Sequence, residues 1–299
     1  MSKRTVAWLT ICAATVMLFT PWGAYAGQAA KPLTKIVVLA PGPSAVTTFN
    51  FFVAAGEGYF KDEGLDAVWE AVDGSSQVLQ GVAAGKAQIG RPGPGPLLAA
   101  RGRGMDVVFI YNLYPKSIFG LVTKQGSPYK LPGDLKGKVI GVGTADGAEV
   151  AFVRPMFTDA GMQEGKDYTF LPVGDGGMAA AAFERGDIVA YAASMSDAAI
   201  IQRRGIPLRE LTPDKYLGYF GNGFVAMGSY IKENPEVIKG FGRALVRGTK
   251  FGLVKANRQK VLDYCKKGNP QEGEDVALSN ALLDQTIENH ADWVFGVAF

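Results

Sequence analysis

The sequence predicts an α/β protein built from two lobes, and three observations support this. Segments with the apolar pattern of strands alternate with helical segments along most of the chain, which is typical of mainly parallel sheets covered on both faces. A strand, break and helix at residues 35–66 recur at residues 138–161. Without the 26 residues of a predicted signal peptide, the 299-residue chain keeps 273 residues, which exceeds the roughly 250 at which single cores stop growing.

The first 26 residues are predicted to be a secretory signal peptide. Lys3-Arg4 precede an apolar run from Val6 to Phe19, and Ala24-Tyr25-Ala26 offers a small-x-small cleavage site. The run is shorter than the roughly 20 residues of a spanning helix. We therefore expect a soluble exported protein that starts at Gly27.

The charge and the cysteine count argue against nucleic-acid binding and against an internal disulfide. Removing Lys3 and Arg4 with the signal lowers the formal charge from +3 to +1, so the sequence does not indicate nucleic-acid binding, which favours a clustered basic surface. Only Cys265 remains. No intrachain disulfide is then possible, and the core must supply the stability.

The first lobe is predicted to begin with a buried strand and a helix that face a cleft. Ile36 to Leu39 is an apolar, partly β-branched run, Pro41-Gly42-Pro43 cannot continue it, and helical apolar spacing extends from Phe51 to a stop at Gly64. A helix that starts beyond a strand's carboxyl end points its free N–H groups into the adjacent crevice. This stretch is therefore predicted to form the first wall of a binding cleft.

The remaining elements follow the same alternation. Further extended segments are predicted at residues 65–71, 88–90, 107–113, 118–124, 138–143, 168–173, 188–192 and 217–227, and helices at residues 78–87, 97–101, 151–161, 178–185, 197–203, 236–257, 261–265 and 274–295.

The predicted lobe boundaries depend on where the last helices, at residues 236–295, pack. Because no predicted strand remains to pair with a sheet after residue 227, this helical tail is expected to pack on the first lobe. Lobe 1 would then comprise residues 27–120 plus 222–299, and lobe 2 residues 121–221. The chain would cross between lobes at Phe119 to Lys124 and at Tyr219 to Val225, which suits hinge closure around a ligand.

Four phrases carry a resemblance to a known family: AAGEGYFKDEGLD, GSSQVLQGVAAGKAQIG, LKGKVIGV and AAFERGDIVAYAAS. The chain resembles the NMT1/THI5-like periplasmic substrate-binding proteins of ABC importers for nitrate, sulfonates, taurine and pyrimidine precursors. The matching motifs run from Gly58 to Leu65, from Leu79 to Gly90 and from Leu135 to Val142.

The resemblance implies a type II periplasmic-binding-protein fold with two crossover segments. It also implies a monomeric periplasmic protein without catalytic residues, cofactor or metal. Its partners would be a small-molecule ligand (a sulfonate, aromatic acid, pyrimidine or other nitrogen compound) and an ABC permease in the inner membrane.

Family members contact ligand through loops at the strand ends that face the cleft. Carried onto this chain, the loop at residues 41–49 should face residues 143–146, and Arg91 should supply any countercharge. The candidate ligand-binding residues are Ser44, Thr48, Phe49, Arg91, Pro92, Tyr111, Tyr114, Thr144, Asp146, Asp175, Ser194, Phe220 and Asn222.

Each kind of candidate has a structural alternative. Arg91 could hold a carboxylate or sulfonate through a bidentate fork, or form an interlobe salt bridge. The aromatic residues could form flat walls of the pocket or belong to the core. Asp175 and Asp197 could accept N–H groups of the ligand or cap helices, and capping is favoured for Asp197.

Enzymatic alternatives are weaker. Gly141 to Gly147 comes near a dinucleotide fingerprint, but its third glycine is one residue late. His290 is the only histidine, and no His or Cys lies at ligand spacing from it, so a zinc site lacks ligands. A Ser-His-Asp triad would need this same histidine, and the sequence has no Gly-x-Ser-x-Gly elbow. The fungal pyrimidine-synthase branch of the resembled family uses a cysteine-rich segment and a histidine that this chain lacks. A receptor that serves a sensor kinase remains a further alternative.

Overall fold

The computed structural model describes residues 32–291. The predicted signal peptide and the end of the predicted last helix lie outside these residues. The strands are β1 (Thr34–Pro41), β2 (Leu65–Val72), β3 (Ile89–Gly90), β4 (Val107–Asn112), β5 (Phe119–Lys124), β6 (Lys138–Val142), β7 (Tyr168–Pro172), β8 (Ala190–Ser194), β9 (Leu208–Glu210) and β10 (Gly223–Met227).

The helices occupy most of the intervening chain. They are α1 (Phe49–Gly56), α2 (Tyr59–Asp62), α3 (Gly74–Ala83), α4 (Pro94–Gly102), α5 (Ala148–Asp159), α6 (Gly177–Arg185), α7 (Met195–Arg203), α8 (Asp214–Leu217), α9 (Gly228–Glu233), α10 (Pro235–Gly252), α11 (Arg258–Gly268), α12 (Pro270–Glu274) and α13 (Val276–Ala291), with 3-10 turns at Val46–Thr48, Pro132–Leu135 and Lys255–Asn257.

The strands of residues 32–291 form two five-stranded sheets. The first has the order β2-β1-β3-β10-β4 and the second the order β7-β6-β8-β5-β9. Both are mixed, because β10 runs antiparallel to β3 and β4, and β5 runs antiparallel to β8 and β9. The alternation of strands and helices predicted mainly parallel sheets; it missed that β5 and β10 each enter their sheet from the other one, without a helical crossover.

The two passes between the sheets lie beside the predicted crossing segments. Phe119–Lys124 is β5 itself, and the predicted extended run at residues 217–227 is a strand only from Gly223. The chain passes at residues 113–118 and again at residues 211–222. The passes are hydrogen-bonded to each other, since the Tyr114 N–H donates to the Asn222 carbonyl at 3.2 Å and the Gly221 N–H to the Tyr114 carbonyl at 2.9 Å.

The start of the first lobe is more segmented than predicted. Gly42, with φ +74°, ends the strand as expected, because positive φ is easily adopted only by glycine. The predicted single helix is divided into α1 and α2 by Gly58, with φ +79°. Before α1, the 3-10 turn at Val46–Thr48 shifts the helix start to Phe49.

The C-terminal helices pack on the first lobe, as predicted, and also contact the second. α10 and α11 pack on α1, whereas α13 contacts both the turn before α1 and α7. One apolar cluster joins Val46 and Phe49 to Leu282, Leu283 and Ala199. Within residues 32–291, no helix combines the length and the apolar character needed to cross a membrane.

Candidate functional site

A cleft of about 560 Å³ lies between the carboxyl ends of the strands of both sheets. This volume falls within the roughly 300–1,000 Å³ of small-molecule sites. The loops after β1, β2 and β3 supply one wall, those after β6, β7 and β8 another, and the segment around α12 a third. Parallel strands place these ends at one edge of each sheet, which is where α/β proteins bind ligands.

The structure brings part of the predicted set together in this cleft. The candidates that line it are Ser44, Arg91, Thr144, Asp175, Ser194 and Asn222.

Thr48, Phe49 and Tyr114 are instead fully buried in the first lobe. Phe49 joins the core beneath the C-terminal helices, and the Tyr114 hydroxyl donates to the Thr47 carbonyl. The core alternative is therefore correct for these aromatic rings.

The other four candidates also lie away from the cleft. The Tyr111 hydroxyl pairs with the Thr249 hydroxyl at 3.3 Å, and Pro92 is buried. Phe220 stacks edge-on against Phe109, with ring centroids 5.6 Å apart. Asp146 lines a separate cavity of about 380 Å³ between α3, α4 and α5.

Arg91 is a buried cation that forms no ion pair with any of the described residues. Its side chain is only 3% exposed, its Nε has no hydrogen-bond partner among the described residues, and its guanidinium lies 5.6 Å from the centre of the Trp69 ring. Burial lowers the pKa of Arg91, an effect that Tyr114 opposes. Since an unpaired buried charge is costly, this guanidinium is suited to an acceptor or anion that enters the cleft.

Asn222 is a second unsatisfied group in the same cleft. Its side chain is 3% exposed, and its Oδ1 has no hydrogen-bond partner within residues 32–291. Buried polar atoms almost always have a partner in native structures. A ligand with both acceptor and donor groups would satisfy Arg91 and Asn222 together.

Three carboxylates from the second lobe line the opposite wall: Glu149, Asp175 and Asp197. Burial raises the pKa of Glu149 to about 7, and the nearby Asp197 and Asp175 add to this. Burial, together with Asp175, also raises the pKa of Asp197 to about 6. Asp175 stays accessible from the cleft, but reduced hydration and Asp73 still raise its pKa. This wall favours N–H donors or cations.

Asp197 takes part in helix capping, as the sequence favoured. Ser194 is the N-cap of α7, and its hydroxyl accepts from the Asp197 N–H at 3.3 Å and donates to Asp197 Oδ2 at 2.6 Å. The Ser194 and Gly176 N–H groups also donate to this carboxylate. It therefore holds the loops after β7 and β8 together. Thr144 does not cap a helix; its N–H donates to Glu149 Oε1 at 3.3 Å.

Several cleft residues were not predicted from the sequence. Glu149 could have been noticed as an acidic residue in the first turn of a helix that faces the cleft. Glu272 gives no such signal, because it is 228 residues from Ser44, whose hydroxyl donates to it at 2.5 Å. Arg203 and Arg204 also line the cleft, so Arg91 is not the only cation there.

The two lobes touch through small residues. An ideal Cβ on Gly93 would overlap Ala148, and one on Gly95 would overlap Ala151. Across from Thr144 lies Gly74, where a Cβ would be 3.4 Å from the threonine hydroxyl. Residues 41–44 and Thr144 both line the cleft as predicted, but Gly74 is the close neighbour of Thr144.

The geometry does not favour the enzymatic alternatives. In the near-fingerprint at Gly141 to Gly147, the Glu149 carboxylate accepts the Thr144 N–H, so a negative group occupies the position that a phosphate would need. Among the described residues, no group of His, Cys, Asp and Glu side chains is arranged to hold a metal ion. Cys265 is buried, and burial raises the pKa of its thiol, which disfavours a reactive thiolate.

Comparison with solved structures identifies the fold. The alkanesulfonate-binding protein SsuA from Xanthomonas axonopodis pv. citri, bound to MOPS, matches with a TM-score of 0.67 and 18% identity, over 86% of this chain and 84% of SsuA. The fold is therefore that of the periplasmic binding proteins.

Comparison with curated proteins gives two kinds of relative. Riboflavin-binding protein RibY of Chloroflexus aurantiacus is 25% identical over 287 residues, which cover 93% of this chain and 80% of RibY. The 4-amino-5-hydroxymethyl-2-methylpyrimidine phosphate synthase THI5 of Saccharomyces cerevisiae is 25% identical over 270 residues, which cover 81% of this chain and 75% of THI5. The family model described as NMT1/THI5 like matches residues 46–256. The chain thus belongs to the NMT1/THI5-like family.

Proposed function

We propose that this protein is a periplasmic solute-binding protein that captures a small polar organic solute between its two lobes and delivers it to an ABC importer. The observation that carries the proposal is that Arg91 and Asn222 line one cleft between the two sheets, and that each has a buried side-chain atom, Nε and Oδ1 respectively, without a hydrogen-bond partner among the described residues. Two such groups in a preformed cleft are best accounted for by a ligand that completes their hydrogen bonds.

Closure of the lobes on the solute is the second part of the proposal. The polypeptide passes twice between the sheets, and the passes pair at Tyr114 and Asn222. A short paired connection of this kind suits a hinge. Asn222 belongs to this connection and also lines the cleft. A solute that binds Asn222 would therefore affect how far the lobes close.

The electrostatics of the cleft narrow the solute class. Arg91 would bind an acceptor or anionic group of the solute, whereas Glu149 and Asp175, on the opposite wall, would bind donors or a cation. Among sulfonates, aromatic acids, pyrimidines and other nitrogen compounds, we favour a nitrogen compound that carries N–H donors and a separate acceptor group. The riboflavin-binding name of RibY is consistent with a nitrogen heterocycle.

The proposal includes export and a membrane partner. Residues 1–26 would act as a cleaved signal peptide, the mature protein would be a periplasmic monomer, and an ABC permease would accept the solute. A sensor kinase is the alternative partner. Uptake of the identified solute by cells that lack this protein separates the two, because the loss reduces uptake only if the protein serves transport.

An enzyme is the second candidate function, favoured by the similarity to THI5 over 81% of this chain. A purified enzyme of this kind would form and release a pyrimidine product over time. A binding protein would release the same solute that it had bound, chemically unchanged. Mass spectrometry of the small molecules released from the purified protein distinguishes the two. A modified pyrimidine that accumulates with time would favour the enzyme.

The proposal is tested by thermal shift and small-angle scattering. Protein refolded without solute is screened against sulfonates, aromatic acids, pyrimidines and other nitrogen compounds. We expect one class to raise the melting temperature and to reduce the radius of gyration, since a ligand that prefers the closed state shifts the population toward it. If no class changes either quantity, the proposed function is wrong.

A further inference from the structure

The C-terminal segment around α12 places a carboxylate against the first-lobe loop. Glu272 Oε1 accepts the Ser44 hydroxyl at 2.5 Å, and Glu272 Oε2 accepts the N–H groups of Ala45 and Val46 at 2.8 Å and 3.0 Å. Three donors therefore converge on one anion. Ser44 and Glu272 both line the cleft, so this contact belongs to the wall of the candidate site.

The position of Glu272 is fixed by several further hydrogen bonds. Its own N–H donates to Asn269 Oδ1 at 3.1 Å, and its carbonyl accepts the Ser279 hydroxyl at 2.7 Å. Asn269 Nδ2 donates to the Pro43 carbonyl at 3.1 Å. The segment is thus held from both ends, and the carboxylate is directed at the loop by the fold of the chain.

The convergent donors would otherwise suit an oxyanion. Two consecutive backbone N–H groups and a hydroxyl bind the oxygen atoms of carboxylates and sulfonates through charge-assisted hydrogen bonds. With Glu272 in place, a ligand oxyanion at this loop would compete for the same donors and lie against a second negative charge. Both effects oppose its binding.

We propose that Glu272 determines ligand specificity by occupying the oxyanion position of the first-lobe loop. This proposal rests on the proposed function and names the class that the site rejects: small sulfonates and other oxyanions that would bind at Ser44, Ala45 and Val46. The acceptor group of the true ligand would then bind the guanidinium of Arg91, whose Nε has no hydrogen-bond partner among the described residues.

The test uses sodium methanesulfonate as the probe, titrated calorimetrically against sodium chloride of equal ionic strength. The proteins are the wild type, Glu272→Ala, Glu272→Gln and the matched control Glu274→Gln. Glu274 lies on the same short helix but is exposed and does not line the cleft.

We expect Glu272→Ala to bind methanesulfonate at least about tenfold more tightly than the wild type and Glu274→Gln, because three donors are released and a like charge is removed. Glu272→Gln keeps an acceptor but loses the charge, so its affinity should fall between them. Methanesulfonate binding should remain absent or weak in the control.

Two outcomes would overturn the proposal: a wild type that binds methanesulfonate as tightly as Glu272→Ala, or a folded Glu272→Ala with no gain. If the alanine variant does not fold, as judged by its thermal transition, Glu272→Gln takes its place. The proposal is then overturned if a folded Glu272→Gln binds methanesulfonate no more tightly than the wild type. Failure of the proposed function is a separate result. It would appear as a wild type that binds no member of the solute panel, whatever the variants do with methanesulfonate.

Discussion

Tyr114 and Asn222 join the two passes of the chain between the sheets, through a hydrogen bond of 3.2 Å from the Tyr114 N–H to the Asn222 carbonyl. The Tyr114 ring is buried in the first lobe, whereas the Asn222 side chain lines the cleft. This backbone pair therefore connects the core, the hinge and the candidate site.

The close pairing of the passes predicts that Gly221 tolerates no side chain. A Cβ there would lie 2.8 Å from both the Lys116 carbonyl oxygen and Tyr114 Cβ. Gly221→Ala is expected to lower the free energy of unfolding by about 1–3 kcal/mol through overpacking. Urea denaturation measures this. Gly218→Ala in the same pass is the control, because no atom of the described residues lies within 4 Å of a Cβ there. Equal losses in both variants would refute the account.

The small-residue contact between the lobes predicts an effect on closure. Gly95→Val should keep α4 from approaching Ala151, where even a Cβ would overlap. We expect a larger radius of gyration than in the wild type. The affinity for the identified solute should be about tenfold lower, because a smaller fraction of the protein would be in the closed state that binds it. Gly102→Val, on the same helix but with open space around it, should behave as the wild type. The prediction is wrong if both variants bind equally well.

The acidic wall predicts a pH dependence of stability. Because burial raises the pKa of Glu149 from 4.5 to about 7, the folded protein holds a proton in this range that the unfolded chain releases. Stability should therefore fall as pH rises from about 4.5 to 7, by up to about 1.4 kcal/mol per pH unit from this group. Asp197, with a pKa raised to about 6, also makes stability fall as pH rises, but over a lower pH range.

Urea denaturation at several pH values checks this slope. Glu149→Gln should reduce the slope between pH 5 and 7, whereas Glu184→Gln, an exposed residue outside the cleft, should not. A slope that Glu149→Gln leaves unchanged would show that Glu149 titrates normally.

The sequence predicted the alternation of elements well because local apolar periodicity determines it. Ile36 to Leu39 and Leu135 to Val142 carry clear strand and turn signals, and the observed β1 and β6 follow them. Strand order depends on where the chain leaves a sheet. No local pattern marks β5 and β10 as antiparallel strands, so the mixed character of the sheets was missed.

Only part of the candidate site was predicted, because only some of its residues carry a local sequence signal. Arg91 and Thr144 lie within two residues of the ends of strands that the fold gathers at the cleft, so their positions could be inferred. Phe49 is buried in the core because it packs against the C-terminal helices, in a cluster with Leu282 and Leu283, and a contact over more than 200 residues has no local sequence signal. Glu272 could not be found, since its contact with Ser44 joins distant parts of the chain.

The central claim is that Arg91 holds a solute between the lobes, and native mass spectrometry of protein purified from the periplasm tests it most directly. The wild type and the exposed control Arg185→Met should each carry one solute of the same mass, and Arg91→Met should carry none. Loss of a buried charge pair costs about 2–5 kcal/mol, or roughly 30-fold or more in affinity. The thermal transition of the solute-free protein should not fall in Arg91→Met, because the substitution removes an unpaired buried cation. A wild type without any solute, or the same solute on Arg91→Met, would contradict the account.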